Sequence, residues 1–526
     1  MADTSMKQQR KRAAARRRRM IFNNDGSCWN YARAASAPEI LRIATTGLED
    51  SHVDTISYST TETFNNYTHR TEVGEQYNDA YDILNGLREQ GTDPLQIMID
   101  FCRQHDKEIL WSFRVNDEHD AWVSDRGGQW KREHQDCLFG TRDNPPPNAS
   151  WSCVDYAQPA VRDLIFRTIE EVCTRYDVDG IELDFFRQLH CFRNHAWGEE
   201  LGEQERQIMT AHLQRIRTMM DEIGQRRGRP LVLAARVPDC TKFARCLALD
   251  VQDWLERDLM DIMIVGGYFW LNPWEKSVAL GRQYGVPVYT SLDASRVADD
   301  ETRTLRRSDL GYRAHAANAL HAGVDGIYVF NLNYMRDPKH RIWRELGDPE
   351  ALAGLDKIYH VSVMGDGHPD VEFYVPSGRQ YVNIPRLCPD HPLQMLPGQR
   401  FGATLKVADD VSATAPFTPR VSINVKVVGL GGPGDLTAYL NGDLLEPCPL
   451  SWRFESPGDW LEFLVEPAQV RAGDNLVELQ FSGAPDKPAC TVQDIHLRLE
   501  HGPNADRRRD LTMSRNRFLA YHDSAV

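Results

Sequence analysis

"VDGIELDFFR", residues 178–187, is the stretch that decides the fold of this chain. An apolar run carries carboxylates at two alternating positions, Glu182 and Asp184. Alternate residues of a β-strand point to the same side, so both acids face one way while Ile181 and Leu183 face the other. A buried charge is costly without a partner. We therefore expect the aliphatic side chains to pack on helices and the acids to project into the mouth of a barrel.

Seven further apolar runs accompany this one between Met20 and Leu346, and each is followed by a potential helix. The eight runs are "MIFNND" (20–25), "VDTISYST" (53–60), "EILWSFRVND" (108–117), "GIELDFF" (180–186), "LVLAARVPD" (231–239), "DIMIVGGYFW" (261–270), "VPVYTSLD" (286–293) and "GIYVFNLN" (326–333). This alternation predicts an α/β fold, a (β/α)₈ TIM barrel over residues 20–346. A doubly wound open sheet is the alternative, but the glycine-rich turn after its first strand is missing.

The hydrophobic pattern of the sequence changes after the predicted barrel. Segments of period two, such as "RVSINVKVVGL" and "NLVELQFSG", alternate with Pro and Gly, and Asn441-Gly442 is a strong hairpin signal. We predict a linker over 347–358, a jelly-roll-like β-sandwich over 359–500 and an irregular tail over 501–526. The sandwich would be a carbohydrate-binding accessory or an inert brace.

Charge and the N-terminal segment limit the partners. The net charge of −15 argues against a nucleic-acid or membrane surface over most of the chain. Residues 1–19 hold a basic run, which we interpret as a disordered tail or, alternatively, a tether for nucleic acid or an anionic surface. No apolar run follows it, so no signal peptide or membrane span is evident, and we expect a cytoplasmic protein with reduced thiols. The oligomeric state is open.

Reactive groups of such a barrel come from the C-terminal ends of its strands. Glycoside hydrolysis normally needs two carboxylates flanking the scissile bond. Asp184 is the first candidate, with Glu182 deeper on the same strand. The candidates for the second carboxylate are Asp293 and Asp239, ranked first, followed by Asp117, Glu118 and Glu62. The neighbouring strands supply Arg114 and Arg236 as possible partners for the charge of Asp184. The alternatives are a salt bridge to Arg187 or Arg236 that only holds the mouth together, for Asp184, and helix capping, for Asp239 and Asp293.

Aromatic, amide and guanidinium groups near the same strand ends are candidates for substrate binding. Flat aromatic faces suit sugar rings, and amides and arginines suit hydroxyls, although core packing and turn formation are the alternatives. The candidates are Arg187, Arg114, Asn116, Arg236, Tyr58, Trp111, Tyr268, Trp270, Asn331 and Asn333. The histidines of "HCFRNH" (190–195) match no standard zinc spacing, so we expect neither metal nor cofactor.

The stretch "DYAQPAVRDLIFRTIEEVCTRYDVDGIELDFFR" (155–187), together with "HDKEILWSFRVND" (105–117), resembles the glycosyl-hydrolase-like family 10 barrels. The resemblance implies a TIM barrel acting on carbohydrate, with Asp184 at the family's acidic position. A chitinase-type motif would have a further carboxylate where this chain has Phe186. The C-terminal region resembles galactose-binding-like domains. We therefore expect a glycosidase, with a non-catalytic carbohydrate-binding barrel as the alternative.

Overall fold

The computed structural model describes residues 5–77, 82–122, 128–293, 297–331, 340–362, 371–411, 419–448, 459–482 and 489–501. The chain forms two compact units. The first comprises Met1–Leu292, Gly323–Gly347 and Val371–Val382, and the second comprises Asp293–Ala322, Asp348–Asp370 and Asn383–Val526.

The first unit contains a closed barrel of eight parallel strands. In chain order these are β1 (Met20–Asn24), β2 (Val53–Ser59), β3 (Glu108–Arg114), β4 (Gly180–Asp184), β5 (Val232–Val237), β6 (Ile262–Val265), β7 (Val288–Leu292) and β8 (Gly326–Phe330). The ring closes in the order β1-β8-β7-β6-β5-β4-β3-β2. The predicted α/β TIM barrel is thus confirmed, and all eight strands correspond to the eight apolar runs. Three short strands, Thr61–Thr63, Asn66–Tyr67 and Glu75–Gln76, form a separate small sheet.

The helices follow the amphipathic segments between the strands. The helix from Pro159 to Arg175 begins with proline at its first position, where no intrahelical N–H is required, and buries Val161, Leu164 and Ile169. The helices are α1 (Met6–Ala14), α2 (Ala37–Ala44), α3 (Ile83–Glu89), α4 (Pro94–Gln104), α5 (Gln129–Glu133), α6 (Pro159–Arg175), α7 (Arg193–Ala196), α8 (Glu203–Arg227), α9 (Thr241–Cys246), α10 (Val251–Glu256), α11 (Trp274–Tyr284), α12 (Asp300–Arg306), α13 (Asp309–His321), α14 (Pro349–Leu352) and α15 (Val371–Tyr374). Among the described helices, none combines the length and apolar character needed to cross a bilayer.

The second unit carries two antiparallel sheets. Its strands are β9 (Lys357–His360), β10 (Leu393–Met395), β11 (Arg400–Val407), β12 (Arg420–Val428), β13 (Leu436–Leu440), β14 (Asp443–Leu444), β15 (Glu446–Pro447), β16 (Asp459–Val465), β17 (Gly473–Phe481) and β18 (Cys490–Glu500). One sheet has the order β9-β18-β12-β16-β15, with β10 also paired to β18, and the other has the order β11-β17-β13-β14. Buried residues of both sheets form one core cluster. The sandwich assignment stays a prediction.

Two details of this unit differ from the predicted boundaries. Helices α12 and α13, which lie in the predicted barrel range, fall in the second unit, where α13 packs against β9. The predicted linker contains α14, and β9 begins inside it, because Lys357 pairs with Leu499 on β18. The predicted hairpin turn is confirmed: Asn441 and Gly442 have φ values of 55° and 94° between β13 and β14. Residues 502–526 of the predicted tail lie outside the described residues.

The basic N-terminal segment is not a disordered tail, and this prediction was wrong. Residues 6–14 form α1, and Arg10 is buried in ion pairs with Asp261 at 2.7 Å and Asp258 at 2.8 Å. Arg18 is fully buried and holds both carboxylate oxygens of Glu108 at 2.6 and 2.7 Å. The arginines neutralise acids of the barrel that lie far away in the sequence, a pairing that composition does not reveal.

Candidate active site at the barrel mouth

Strand β4 delivers Asp184 to the C-terminal end of the barrel, between Arg114 of β3 and Arg236 of β5 in the strand register. Its Oδ2 lies 3.4 Å from Nη1 of Arg236, and its Oδ1 accepts the backbone N–H of Phe186 at 3.0 Å. Asp184 is 1% exposed and Arg236 is fully buried. Asp184 therefore has the predicted arginine partner, but solvent hardly reaches it.

Glu182 lies deeper in the barrel interior. Its carboxylate accepts hydrogen bonds from the hydroxyls of Ser57, Ser112 at 3.2 Å and Tyr328 at 2.9 Å. Burial, together with the nearby charge of Asp184, raises the pKa of Glu182 to about 7. We call Glu182 and Asp184 the buried acid pair. The raised pKa favours a proton on Glu182, and such a proton relieves the repulsion between the two carboxylates of the pair.

Aromatic rings surround the guanidinium of Arg236. Its central carbon lies 4.4 Å from the ring centre of Phe330, 5.2 Å from Tyr328 and 5.5 Å from Phe186. Ring faces attract a cation, so they partly replace the water that Arg236 has lost. The geometry holds Arg236 against Asp184 and provides the floor of the mouth.

Above this floor, Asp25 follows β1 and gathers several donors. Its Oδ1 lies 3.1 Å from Nη2 of Arg114, and its Oδ2 accepts hydrogen bonds from Arg187, at 3.4 Å, and from the Asn331 amide. Asn331 has a φ of 48°. Its Oδ1 also accepts a hydrogen bond from the Asp25 backbone N–H, at 3.2 Å. The Asp25 side chain remains 18% exposed. It is thus the acid of this group that solvent reaches best.

A second chain of contacts runs from Arg187 to Asp117. Arg187 Nη2 lies 3.2 Å from His119 Nε2, and His119 Nδ1 lies 2.8 Å from Asp117 Oδ2. Arg114 also donates to Asp117, at 3.0 Å. We call Asp25, Arg114, Asp117, His119, Arg187 and Asn331 the mouth cluster. An imidazole that accepts from Arg187 must donate from Nδ1 to Asp117, which fixes its orientation.

The arginines of the mouth cluster keep its acids ionised. Burial alone would raise the pKa values of Asp25 and Asp117, but neighbouring cations outweigh it and lower both below the ordinary range. The lowering comes from Arg187 and Arg114 for Asp25, and from the contact with His119 followed by Arg114 and Arg187 for Asp117. The mouth therefore presents an ionised carboxylate above a buried acid whose pKa is raised.

The two predicted acids that follow β5 and β7, Asp239 and Asp293, are placed differently. Asp239 accepts the backbone N–H groups of Leu271, at 2.9 Å, and Asn272, at 2.8 Å, so it anchors the loop after β6. Its burial raises its pKa to about 6. Asp293 directly follows β7, is half-buried and is assigned to the second unit. Their roles as second carboxylate stay predictions.

Three residues predicted to bind substrate lie inside the protein, which is a correction. Tyr58, Trp111 and Asn116 are fully buried. The Trp111 indole donates to Thr60 at 2.8 Å, and the Asn116 amide donates to the carbonyls of Val154 and His190. Their polar atoms hold loops together, so none is presented to a ligand.

The other predicted binding residues lie at or near the mouth. Arg114, Arg187 and Asn331 belong to the mouth cluster, and Arg236 lies beneath it. Tyr268 is buried against Phe330, with ring centres 6.0 Å apart, and Trp270 is half-buried beside Trp274. Asn333 lies outside the described residues.

The sequence reasoning did not select Asp25, His119 or Trp122. Asp25 closes the first apolar run, and the strand-end rule applied to Asp184 would have found it. Trp122 is 76% exposed in the loop after β3. The sequence signal that would have selected it is an aromatic residue in a loop that follows a barrel strand. His119 has no sequence signal, because its role depends on Arg187.

The raised pKa of Glu182 predicts a pH dependence of stability. The folded protein holds the Glu182 proton up to about pH 7, whereas an unfolded glutamate releases it near its usual pKa of 4.5. The contribution is thus complete at low pH and is lost as the pH rises through 7. We expect Glu182→Gln to flatten this decline, measured as the free energy of urea unfolding at pH 5 and pH 8. An unchanged pH dependence in the variant would contradict the assignment.

The protein is a TIM-barrel protein with a charged site at the C-terminal ends of its strands. Residues 48–274 match the family model Glycosyl hydrolase-like 10, which confirms the resemblance and supports a carbohydrate-active barrel. No curated protein sequence matches the chain significantly. Among the described residues, the three side chains that could jointly hold a metal ion, His360, Asp494 and His496, lie in the second unit.

Solved structures of glycoside hydrolases are similar at low identity. A family 18 N-acetylglucosaminidase from Paenibacillus barengoltzii is 13% identical, with 63% of this chain and 98% of that chain covered and a TM-score of 0.34. The glycoside hydrolase domain of PgaB (BpsB) from Bordetella bronchiseptica is 8% identical, with coverages of 62% and 98% and a TM-score of 0.38. An isomalto-dextranase from Arthrobacter globiformis T6 is 10% identical, with coverages of 94% and 98% and a TM-score of 0.36. Similarity at this level supports no inference about activity.

Proposed function

We propose that the protein hydrolyses an O-glycosidic bond of an oligo- or polysaccharide at the mouth of the barrel. One observation carries the proposal: Asp25, a partly exposed carboxylate with a lowered pKa, lies at the mouth, and Glu182, a carboxyl group with a raised pKa, lies deeper in the same barrel. Glycoside hydrolysis needs one protonated and one ionised carboxyl group at the same pH. The family match to residues 48–274 supports the same reading.

The roles follow from exposure. Asp25 is the carboxylate that we assign to contact with the sugar, because its side chain is 18% exposed whereas that of Asp184 is 2% exposed. Arg114, Arg187 and Asn331 hold Asp25 ionised and oriented. Asp184 and Arg236 act as positioning residues beneath it. This assignment differs from the sequence-based expectation that Asp184 itself faces the substrate.

Sugar recognition is assigned to the rim. Trp122 offers an exposed ring in the loop after β3, and Trp270 adds a half-exposed one after β6. Aromatic faces suit the apolar face of a pyranose ring, whose hydroxyls can bond to charged groups beside them. No cofactor takes part in this proposal.

The test is a hydrolysis screen of the purified chain against neutral, amino-sugar and acidic oligosaccharides, with released reducing ends as the measurement. We expect release from at least one substrate class, without added cofactor. No release from any class, with the protein shown to be folded by circular dichroism, would overturn the proposal.

Sugar binding without catalysis is the second candidate, and the burial of the acid pair favours it. Asp184 is paired with a fully buried arginine, which is also the arrangement of a purely structural ion pair. A glycan array in parallel with the screen separates the two candidates. Binding to immobilised glycans with no release of reducing ends identifies a binding barrel.

A further inference from the structure

The second unit contains three buried side chains that come together on neighbouring strands. His360 ends β9, and Asp494 and His496 lie on β18, which pairs with β9. His360 and His496 are direct partners in the antiparallel register, so their side chains share one side of the sheet. Asp494 lies two residues before His496 and therefore faces the same side.

The spacing of the three groups suits a small cation. One nitrogen or oxygen from each residue lies within 4.8 Å of the others, and His360 Nδ1 lies 3.9 Å from Asp494 Oδ2. Tetrahedral zinc, with bonds of about 2.0–2.2 Å, holds its ligand atoms about 3.3 Å apart. Binding the ion would bring the His360–Asp494 pair closer by about half an ångström, and any pair at the 4.8 Å limit closer by about 1.5 Å.

The atoms that would bind the ion lack protein partners. Both ring nitrogens of His360, Nδ1 of His496 and Oδ2 of Asp494 are buried and make no hydrogen bond. Buried polar atoms are nearly always bonded, because leaving them unpaired is costly. Burial also lowers the pKa values of both histidines, so each ring is neutral near pH 7 and has a lone pair to offer.

The surrounding charges decide which kind of ion fits. Arg306 Nη2 lies 3.4 Å from the other oxygen of Asp494, Oδ1, and Arg306 also donates to the Ser362 carbonyl. The guanidinium orients the carboxylate and leaves Oδ2 for an ion, but its charge opposes a cation held by oxygen alone. Two imidazoles and one carboxylate suit Zn²⁺ and its neighbours, whereas Ca²⁺ and Mg²⁺ require a shell of oxygens.

We propose that His360, Asp494 and His496 bind one divalent transition-metal ion of the zinc class, which ties β9 to β18 and stabilises the second unit. The role is structural, because the site is buried. It is independent of the function proposed for the barrel mouth.

The test uses the full-length chain, purified without a histidine tag, stripped with EDTA, equilibrated with Zn²⁺ and desalted. We expect about one zinc per chain by mass spectrometry of the metal, and about a tenth or less in a His360→Ala/His496→Ala variant. The matched control is His212→Ala. His212 is also buried, lies in α8 of the first unit and has two ring nitrogens without a hydrogen bond, so this variant should keep its zinc.

A second measurement covers the case in which the double variant fails to fold. Co²⁺ bound to the wild-type chain should give the visible absorption bands of a four-coordinate ion. Added Zn²⁺ should displace the Co²⁺, and the bands should disappear. Zinc added to the stripped wild-type protein should also raise its unfolding temperature. Zinc retained by a folded double variant overturns the proposal, and so does a wild-type chain that shows neither cobalt bands nor bound zinc.

Discussion

An Arg18→Met variant is expected to lose about 3–5 kcal/mol of unfolding free energy, the loss typical of removing one partner from a buried ion pair. Arg18 is fully buried, and its guanidinium holds both oxygens of Glu108, the first residue of β3. Thr55 also donates to this carboxylate, at 2.7 Å, but a hydroxyl cannot replace the lost charge. Urea unfolding followed by circular dichroism measures the loss.

Arg16→Met is the matched control for this prediction. Arg16 lies two residues away, is exposed and donates only to the Asp106 carbonyl on the surface. We expect a change within about 0.5 kcal/mol for the control. A double variant, Arg18→Met with Glu108→Leu, should recover most of the loss, because it removes both charges together. A loss below about 1 kcal/mol in Arg18→Met would show that this segment does not brace the barrel.

Asp25→Asn is expected to lower kcat about 10²- to 10⁴-fold on any substrate that the screen identifies, the range for loss of an ionised carboxylate that acts as the base. The asparagine keeps the shape of the side chain but removes the charge that Arg114 and Arg187 neutralise. The measurement is the initial rate of reducing-end release, with the unfolding temperature recorded for each variant. Asp184→Asn should also lower the rate, through the loss of the partner that holds Arg236.

The control for these two variants is Asp179→Asn. Asp179 immediately precedes β4, at the opposite end of the barrel from Asp184, and accepts the backbone N–H of Ile109 at 2.9 Å. This variant should cost stability only, so its kcat should stay within about twofold of the wild type at a temperature where it is folded. If Asp25→Asn retains more than a tenth of the wild-type rate while folded, Asp25 is not the acid that meets the sugar.

The period-two pattern of β4 was sufficient to place its acids. Glu182 and Asp184 both face the barrel interior, and Arg236 is the partner of Asp184, as the strand order predicts. The pattern did not predict how deeply Asp184 is buried. That depends on Phe330 and Phe186, whose rings surround Arg236 and whose positions follow from closure of the barrel.

The mouth cluster was only partly predictable. Arg114, Arg187 and Asn331 were selected because they end strands or follow them, but Asp25 was passed over. Its contacts with Arg187 and Asn331 join residues 162 and 306 positions apart in the chain. A local pattern reports the strand to which a residue belongs, and only the closed ring of strands determines which strand ends meet.

By itself, the sequence determined the eight strands, their parallel order in a barrel and the change to antiparallel sheets after it, because hydrophobic periodicity and turn residues act locally. Apart from the pair of Asp184 and Arg236, tertiary structure alone decided the pairing of charges. It placed buried arginines of the basic N-terminal run against acids of the barrel. It made Asp25 the most exposed of the acids in the mouth cluster and the buried acid pair, and it brought His360 beside Asp494 and His496. The physical reason is that the energy of a buried charge depends on its neighbours in space, and those neighbours come from distant parts of the chain.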